Sequence, residues 1–134
     1  MPKAEGLTLS FTGRESIRVD FLETIDYCGQ QQEIILHCRE FSAVCPFSGL
    51  PDLGTVEVTY IPNDKIIELK SLKYYLISYR QVGIYQEEVT DQIAADLWRL
   101  LTPRYLQVTT TYATRGGIDA RCTIERGSRG EFSR

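Results

Sequence analysis

The chain has 134 residues, 43% of them hydrophobic and 25% charged, which suits one domain with a core of its own. Its formal net charge of −3 gives no overall field for polyanions, so direct nucleic-acid binding is not expected and any phosphate contact must come from a local basic cluster. No apolar run is long enough to span a bilayer, and Met1-Pro2-Lys3-Ala4-Glu5-Gly6 lacks the apolar core of a signal peptide, so a cytoplasmic setting is expected.

Residues 1–26 carry the weakest pattern. Leu7–Phe11 alternates enough for an edge strand, and Gly13–Leu22 for a short strand or an arm onto a neighbouring subunit. Glu33–Phe41 is β-rich and reads as a strand. Thr55–Ile61 alternates, with Val56, Val58 and Tyr60 on one face. The two make a hairpin whose connection, roughly a dozen residues, is longer than the usual two to five; such loops are often functional. Pro62–Lys65 is a turn. Leu69, Leu72, Leu76 and Tyr79 recur at helical spacing, predicting a helix from near Leu69 that breaks at Gly83. A second helix is predicted over residues 86–101, with Val89, Ile93, Leu97, Leu100 and Leu101 inward, Glu87 and Glu88 in its first turn, and Pro103 past its end. Tyr105–Tyr112 and Ile118–Glu125 are strands joined by the tight turn Thr114-Arg115-Gly116-Gly117, and Arg126–Arg134 is a tail expected to fray.

The order is β-β-α-α-β-β. Two hairpins flanking a helix pair give an α+β domain, an antiparallel four-stranded sheet with two helices on one face. Nothing divides residues 1–134 into smaller units. The free sheet edges favour side-by-side assembly of subunits.

Chemistry concentrates in Cys45-Pro46-Phe47-Ser48-Gly49-Leu50-Pro51-Asp52. A thiol can be a nucleophile and a carboxylic acid can deliver protons. Pro46 keeps Cys45 out of helical geometry, and Gly49 and Pro51 form turns, so Asp52 can fold back towards the thiol. A structural cysteine beside a turn aspartate reads the same way. The four cysteines, Cys28, Cys38, Cys45 and Cys122, show no CxxC spacing, and reduced thiols are expected in the cytoplasm.

Three stretches carry a family resemblance: Cys45–Asp52, Glu68-Leu69-Lys70-Ser71-Leu72-Lys73-Tyr74-Tyr75, and Thr114-Arg115-Gly116-Gly117. Over roughly residues 30–125 the chain resembles the NADPH-dependent 7-cyano-7-deazaguanine reductases of queuosine biosynthesis, in their short single-module form. The resemblance implies the tunnelling fold, in which subunits join sheets into a barrel, as a pentamer or decamer with active sites between subunits. It implies NADPH-dependent reduction of a nitrile to a primary amine, with 7-cyano-7-deazaguanine as the small-molecule substrate and no required metal. Cys45 matches the nucleophile, which forms a thioimide, and Asp52 the proton donor; Asp52 is also expected to help ionise the thiol. Glu87 matches the carboxylate that accepts the purine-like donors. Glu68, with the backbone of Ile67 and Leu69, matches a second substrate contact. Lys70, Lys73 and Arg115 match positions that hold NADPH.

At Gln86 many relatives have histidine. Glutamine can hydrogen-bond the base but cannot carry a proton at neutral pH. Outside the resemblance, Glu87 reads as a helix-start acid, Glu68 as a helix cap and the lysines as a solvated face. Three other readings stay open. One is an amidinotransferase-type relative that acts on the nitrile within tRNA. Another is a zinc hydrolase on the same fold, which one histidine (His37) and scattered cysteines disfavour. The third is a non-catalytic barrel that binds purines or pterins.

Overall fold

The structure is a computed structural model that describes residues 2–130. Its strands are β1 (Thr24–Asp26), β2 (Ile34–Val44), β3 (Pro51–Ile61), β4 (Lys65–Ile67), β5 (Tyr105–Arg115) and β6 (Ile118–Gly127). The helices α1 (Leu69–Ile77) and α2 (Gln86–Leu101) lie between β4 and β5. The four long strands form one antiparallel sheet, as expected, and the structure adds their order, β2-β3-β5-β6. The short strands β1 and β4 make a separate ribbon that sequence reading did not find; three residues are too few for a period to register.

Cross-strand partners share a face, so the register puts Val56, Val58 and Tyr60 of β3 beside Thr110, Val108 and Leu106 of β5. All six are buried, and the helices cover this side. From α2, Val89, Ile93, Leu97 and Leu101 are buried, each stabilising by about 1.5–3 kcal/mol. Thr102 takes a left-handed conformation and Pro103 follows, which ends α2. From α1, Leu72, Tyr75 and Leu76 are buried, and Tyr79 joins them from the turn beyond. Leu69 departs from the predicted stripe: it is 60% exposed in the first turn.

The connection between β2 and β3 is also shorter than predicted. With β2 ending at Val44 and β3 starting at Pro51, it comprises the six residues 45–50. Pro51 opens a strand, where a missing N–H is tolerated, and Asp52 lies on β3 opposite Ala43.

The N-terminal segment forms neither the edge strand expected over Leu7–Phe11 nor a strand over Gly13–Leu22. Residues 7–11 run without a ladder, while Leu9 N–H donates to Ser48 O (2.9 Å) and Thr12 N–H to Gln81 O (2.7 Å). Two 3-10 turns, Arg14–Ser16 and Val19–Phe21, then bring Ile17 and Leu22 into the core. Serines of the α1 region anchor them: Arg18 N–H donates to Ser78 Oγ (3.0 Å) and Glu23 N–H to Ser71 Oγ (3.0 Å).

The expected frayed tail is anchored as far as residue 130. Arg126 and Gly127 belong to β6, Ser128 N–H donates to Arg104 O (2.9 Å), and Arg129 pairs with Glu33 while lying 4.2 Å from the Tyr105 ring centre. The rest of that prediction lies outside the described residues.

Candidate active site

Cys45 is the first residue past β2. Its N–H donates to Leu50 O (2.9 Å) and its carbonyl accepts from Gly49 N–H (2.8 Å), which closes the loop. Gly49 sits at φ 74°, and a Cβ there would overlap the Leu9 carbonyl, so this position requires glycine. The closed loop turns the backbone amides of Ser48 and Phe47 towards the thiol. These two amides, Ser48 first, hold Cys45 below the ordinary thiol value, with a further contribution from the Ser48 side chain. Hydrogen bonds to the charged form favour thiolate, the nucleophilic form. Asp52 acts in the opposite direction: its negative charge raises the Cys45 pKa. The expectation that Asp52 helps ionise the thiol is therefore corrected, and the loop amides do that work.

Asp52 is 8% exposed, and its Oδ1 accepts from Arg115 Nη1 at 2.8 Å. Arg115 closes β5, half-exposed, before Gly116 and Gly117, which lie at φ 58° and 77° with open space where side chains would be. Its guanidinium lies 5.3 Å from the Tyr112 ring centre. Tyr112 is buried on the helix side, and its hydroxyl has no hydrogen-bond partner among the described residues. Burial raises the pKa of this phenol, and the Asp52 charge adds to the effect.

The start of α2 reaches the same end of the sheet. Gln86 is buried, and its Nε2 donates to Ala120 O (3.0 Å), Thr110 O (3.2 Å) and Thr110 Oγ1 (3.3 Å). The amide therefore locks the helix onto β5 and β6. Glu87, next to it, is exposed. Cys122 lies opposite Thr110, and its thiol is pushed up by burial first and by the Glu87 carboxylate second.

Cys45, Asp52, Gln86, Glu87 and Arg115 thus gather at one end of the sheet. Ile67, Glu68, Leu69 and Lys70 do not. Ile67 N–H donates to Tyr60 Oη (3.1 Å), and Tyr60 stands eight residues past Asp52 on β3, about 26 Å along the strand at roughly 3.3 Å per residue. Glu68 caps α1, accepting from Ser71 N–H (2.8 Å) and Lys70 N–H (3.1 Å). Lys70 and Lys73 are exposed on α1. Arg115, at the other end of the sheet, is half-exposed. A cavity of about 650 Å³ passes Leu53, Gly54, Thr111 and Tyr112 without reaching Cys45 or Asp52. Among the described residues no cluster of three or more His, Cys, Asp or Glu side chains could hold a metal ion, and no helix is long and apolar enough to cross a membrane.

Sequence reading missed Tyr112 and Cys122 as neighbours of the site. The alternation of Tyr105–Tyr112 was the available signal, since it puts Tyr112 on the same face as Thr110.

A thiol held towards thiolate thus lies beside a buried carboxylate in an α+β domain, on an antiparallel sheet backed by two helices. The model of the QueF-like protein family matches residues 51–131. The chain is 54% identical over 129 residues to the NADPH-dependent 7-cyano-7-deazaguanine reductases of Thermotoga petrophila and Thermotoga maritima, covering 96% of this chain and 93% of each relative. Against the enzyme of the same name from Caldicellulosiruptor bescii, identity is 44% over 111 residues, covering 81% of this chain and 85% of that one. This chain belongs to the family of NADPH-dependent 7-cyano-7-deazaguanine reductases. Its fold is similar to the crystal structure of the archaeosine synthase QueF-Like in the apo form, with a TM-score of 0.65 at 24% identity, covering 76% of this chain and 98% of that one.

Proposed function

We propose that this protein reduces the nitrile of 7-cyano-7-deazaguanine to the primary amine of 7-aminomethyl-7-deazaguanine, using NADPH, in tRNA queuosine biosynthesis. The observation that carries this reading is Cys45, a half-buried thiol held by two loop amides next to Asp52. A nitrile carbon is a weak electrophile. Thiolate addition forms a C–S bond, turns the triple bond into the C=N of a thioimide, and leaves an electron pair on nitrogen that takes a proton. Cys45 makes that bond and Asp52 gives that proton. NADPH, when bound, supplies hydride, two equivalents for the four electrons between nitrile and amine. Once the first hydride has made the carbon tetrahedral, the nitrogen lone pair expels the Cys45 thiolate, and the C=N that this leaves takes the second hydride while Cys45 returns free.

Glu87 accepts the ring N–H and exocyclic amine of the base, on a helix start that Gln86 fixes. Arg115, Lys70 and Lys73 meet the cofactor phosphates. Glu68 and the backbone of Ile67 and Leu69 form the second substrate contact. They lie far from Cys45 within one chain, so a complete site takes the Cys45 end of one subunit and the α1 start of another. A tunnelling-fold barrel of joined sheets, as a pentamer or decamer, provides that juxtaposition at its subunit interfaces. The cytoplasm, with NADPH and reduced thiols, is the setting for this chemistry; the four cysteines are unbridged.

The test is NADPH oxidation by the purified protein with 7-cyano-7-deazaguanine, beside Cys45→Ala. Two NADPH consumed per nitrile, and none by the variant, is the expected result. An adduct on Cys45 by intact mass without oxidation would replace this reading with an amidinotransferase-type relative. Neither adduct nor oxidation would leave a purine- or pterin-binding protein.

A further inference from the structure

Near the candidate site one buried polar group has no structural partner. Tyr112 is 3% exposed and its hydroxyl is unpaired among the described residues, an arrangement that is costly unless something else uses the group. The placement of the ring is specific. Tyr112 faces Gly54 in the β3–β5 register, and a Cβ on Gly54 would collide with the ring, so Gly54 leaves room for it against β3. Asp52 is two residues along β3 on the same face. That is the diagonal neighbour an aromatic side chain can reach. Among the charges around the Tyr112 hydroxyl, Asp52 acts most strongly, and with burial it keeps the phenol protonated and thus a donor.

Asp52 in this structure is held by Arg115 at 2.8 Å. A carboxylate in an ion pair accepts hydrogen bonds and has no proton to give. To serve as an acid it must part from Arg115, whose side chain is 51% exposed at the glycine turn. The buried group left beside it is then the Tyr112 hydroxyl.

We propose that Tyr112 is a positioning residue for Asp52: when Arg115 releases the carboxylate and it takes up a proton from water, the Tyr112 O–H donates to its carbonyl oxygen and leaves the new carboxyl O–H directed at the substrate nitrogen. The assignment rests on the reading of Asp52 as proton donor. It accounts together for the unpaired hydroxyl, the bare Gly54 and the exposed side of Arg115.

Tyr112→Phe removes only the hydroxyl. Four quantities would be measured: the rate of adduct formation on Cys45 with 7-cyano-7-deazaguanine by intact mass, without NADPH; kcat and KM of the coupled reaction; the urea unfolding midpoint; and iodoacetamide alkylation of Cys45. Adduct formation and kcat should fall about tenfold, the scale of one hydrogen bond to a reacting acid. KM and Cys45 alkylation should stay unchanged, and the unfolding midpoint should not drop. An unchanged adduct rate would overturn the proposal. So would a slower rate accompanied by a lower midpoint and slower alkylation, which marks a collapsed site. Asp52→Asn separates the two readings: adduct formation at the wild-type rate in that variant would reject Asp52 as the donor, whatever Tyr112→Phe does.

Discussion

Replacing Gly49 with alanine tests how the thiol is tuned. Gly49 lies at φ 74° against the Leu9 carbonyl. Alanine in the left-handed region costs about 1–2 kcal/mol. Relief of the clash separates the loop from Leu9 and loses the Leu9 N–H to Ser48 O bond (2.9 Å), about 1 kcal/mol more. The sum, about 2–3 kcal/mol, should lower the urea midpoint by about 1 M or more for a domain of this size. The loop would no longer hold the Ser48 and Phe47 amides against Cys45, the interactions that depress its pKa. Less of the thiol is then ionised at neutral pH, so the alkylation profile of Cys45, read by mass on its own peptide, should move to higher pH and adduct formation should slow. An unchanged midpoint together with an unchanged profile would refute both the strain argument and the role of the amides.

Arg115→Ala leaves the buried Asp52 carboxylate without its cation. It should destabilise the protein by about 1–3 kcal/mol, between the exposed and buried limits for ion pairs, and raise the KM for NADPH; denaturation and initial rates check the two effects. Gln86→Ala strips three acceptors on β5 and β6 of their donor and should cost about 1–3 kcal/mol in urea unfolding. Cys45→Ala should fold normally and form no adduct, as intact mass would report. Co-expression of Cys45→Ala with Glu68→Ala, each inactive alone, should restore activity to about a quarter of wild type if two subunits share each site; no recovery in mixed oligomers would refute the shared site.

Much of the architecture was legible because long elements repeat their pattern. Sixteen residues of α2 and the alternation of β3 and β5 register against any background. Pro51 misled for a physical reason. It resembles a turn former, yet it opens a strand, which then passes Gly54, where a Cβ would meet the Thr111 carbonyl and the Tyr112 ring. The capping role of Glu68 could be read locally, since its partners Lys70 and Ser71 are adjacent. The Asp52–Arg115 pair joins residues 63 apart, and the unpaired Tyr112 hydroxyl depends on what neighbouring strands and α2 place around it. No local pattern encodes either one. The thiol of Cys45 stood out by its setting among turn formers, but the direction of its tuning came from amide orientations that side-chain identity does not specify.

The contact between Leu9 and the Cys45 loop ties the segment before it mechanically to the Cys45 thiol. A fusion or purification tag placed upstream of Leu9 therefore bears on the loop that tunes this thiol. The last described residues are moored away from that loop: Arg129 pairs with Glu33 and lies against Tyr105, at the end of the sheet where Ile67 and Glu68 also stand. Alkylation of Cys45, compared between preparations tagged at opposite ends, reads the leash on the loop separately from any effect at that far end.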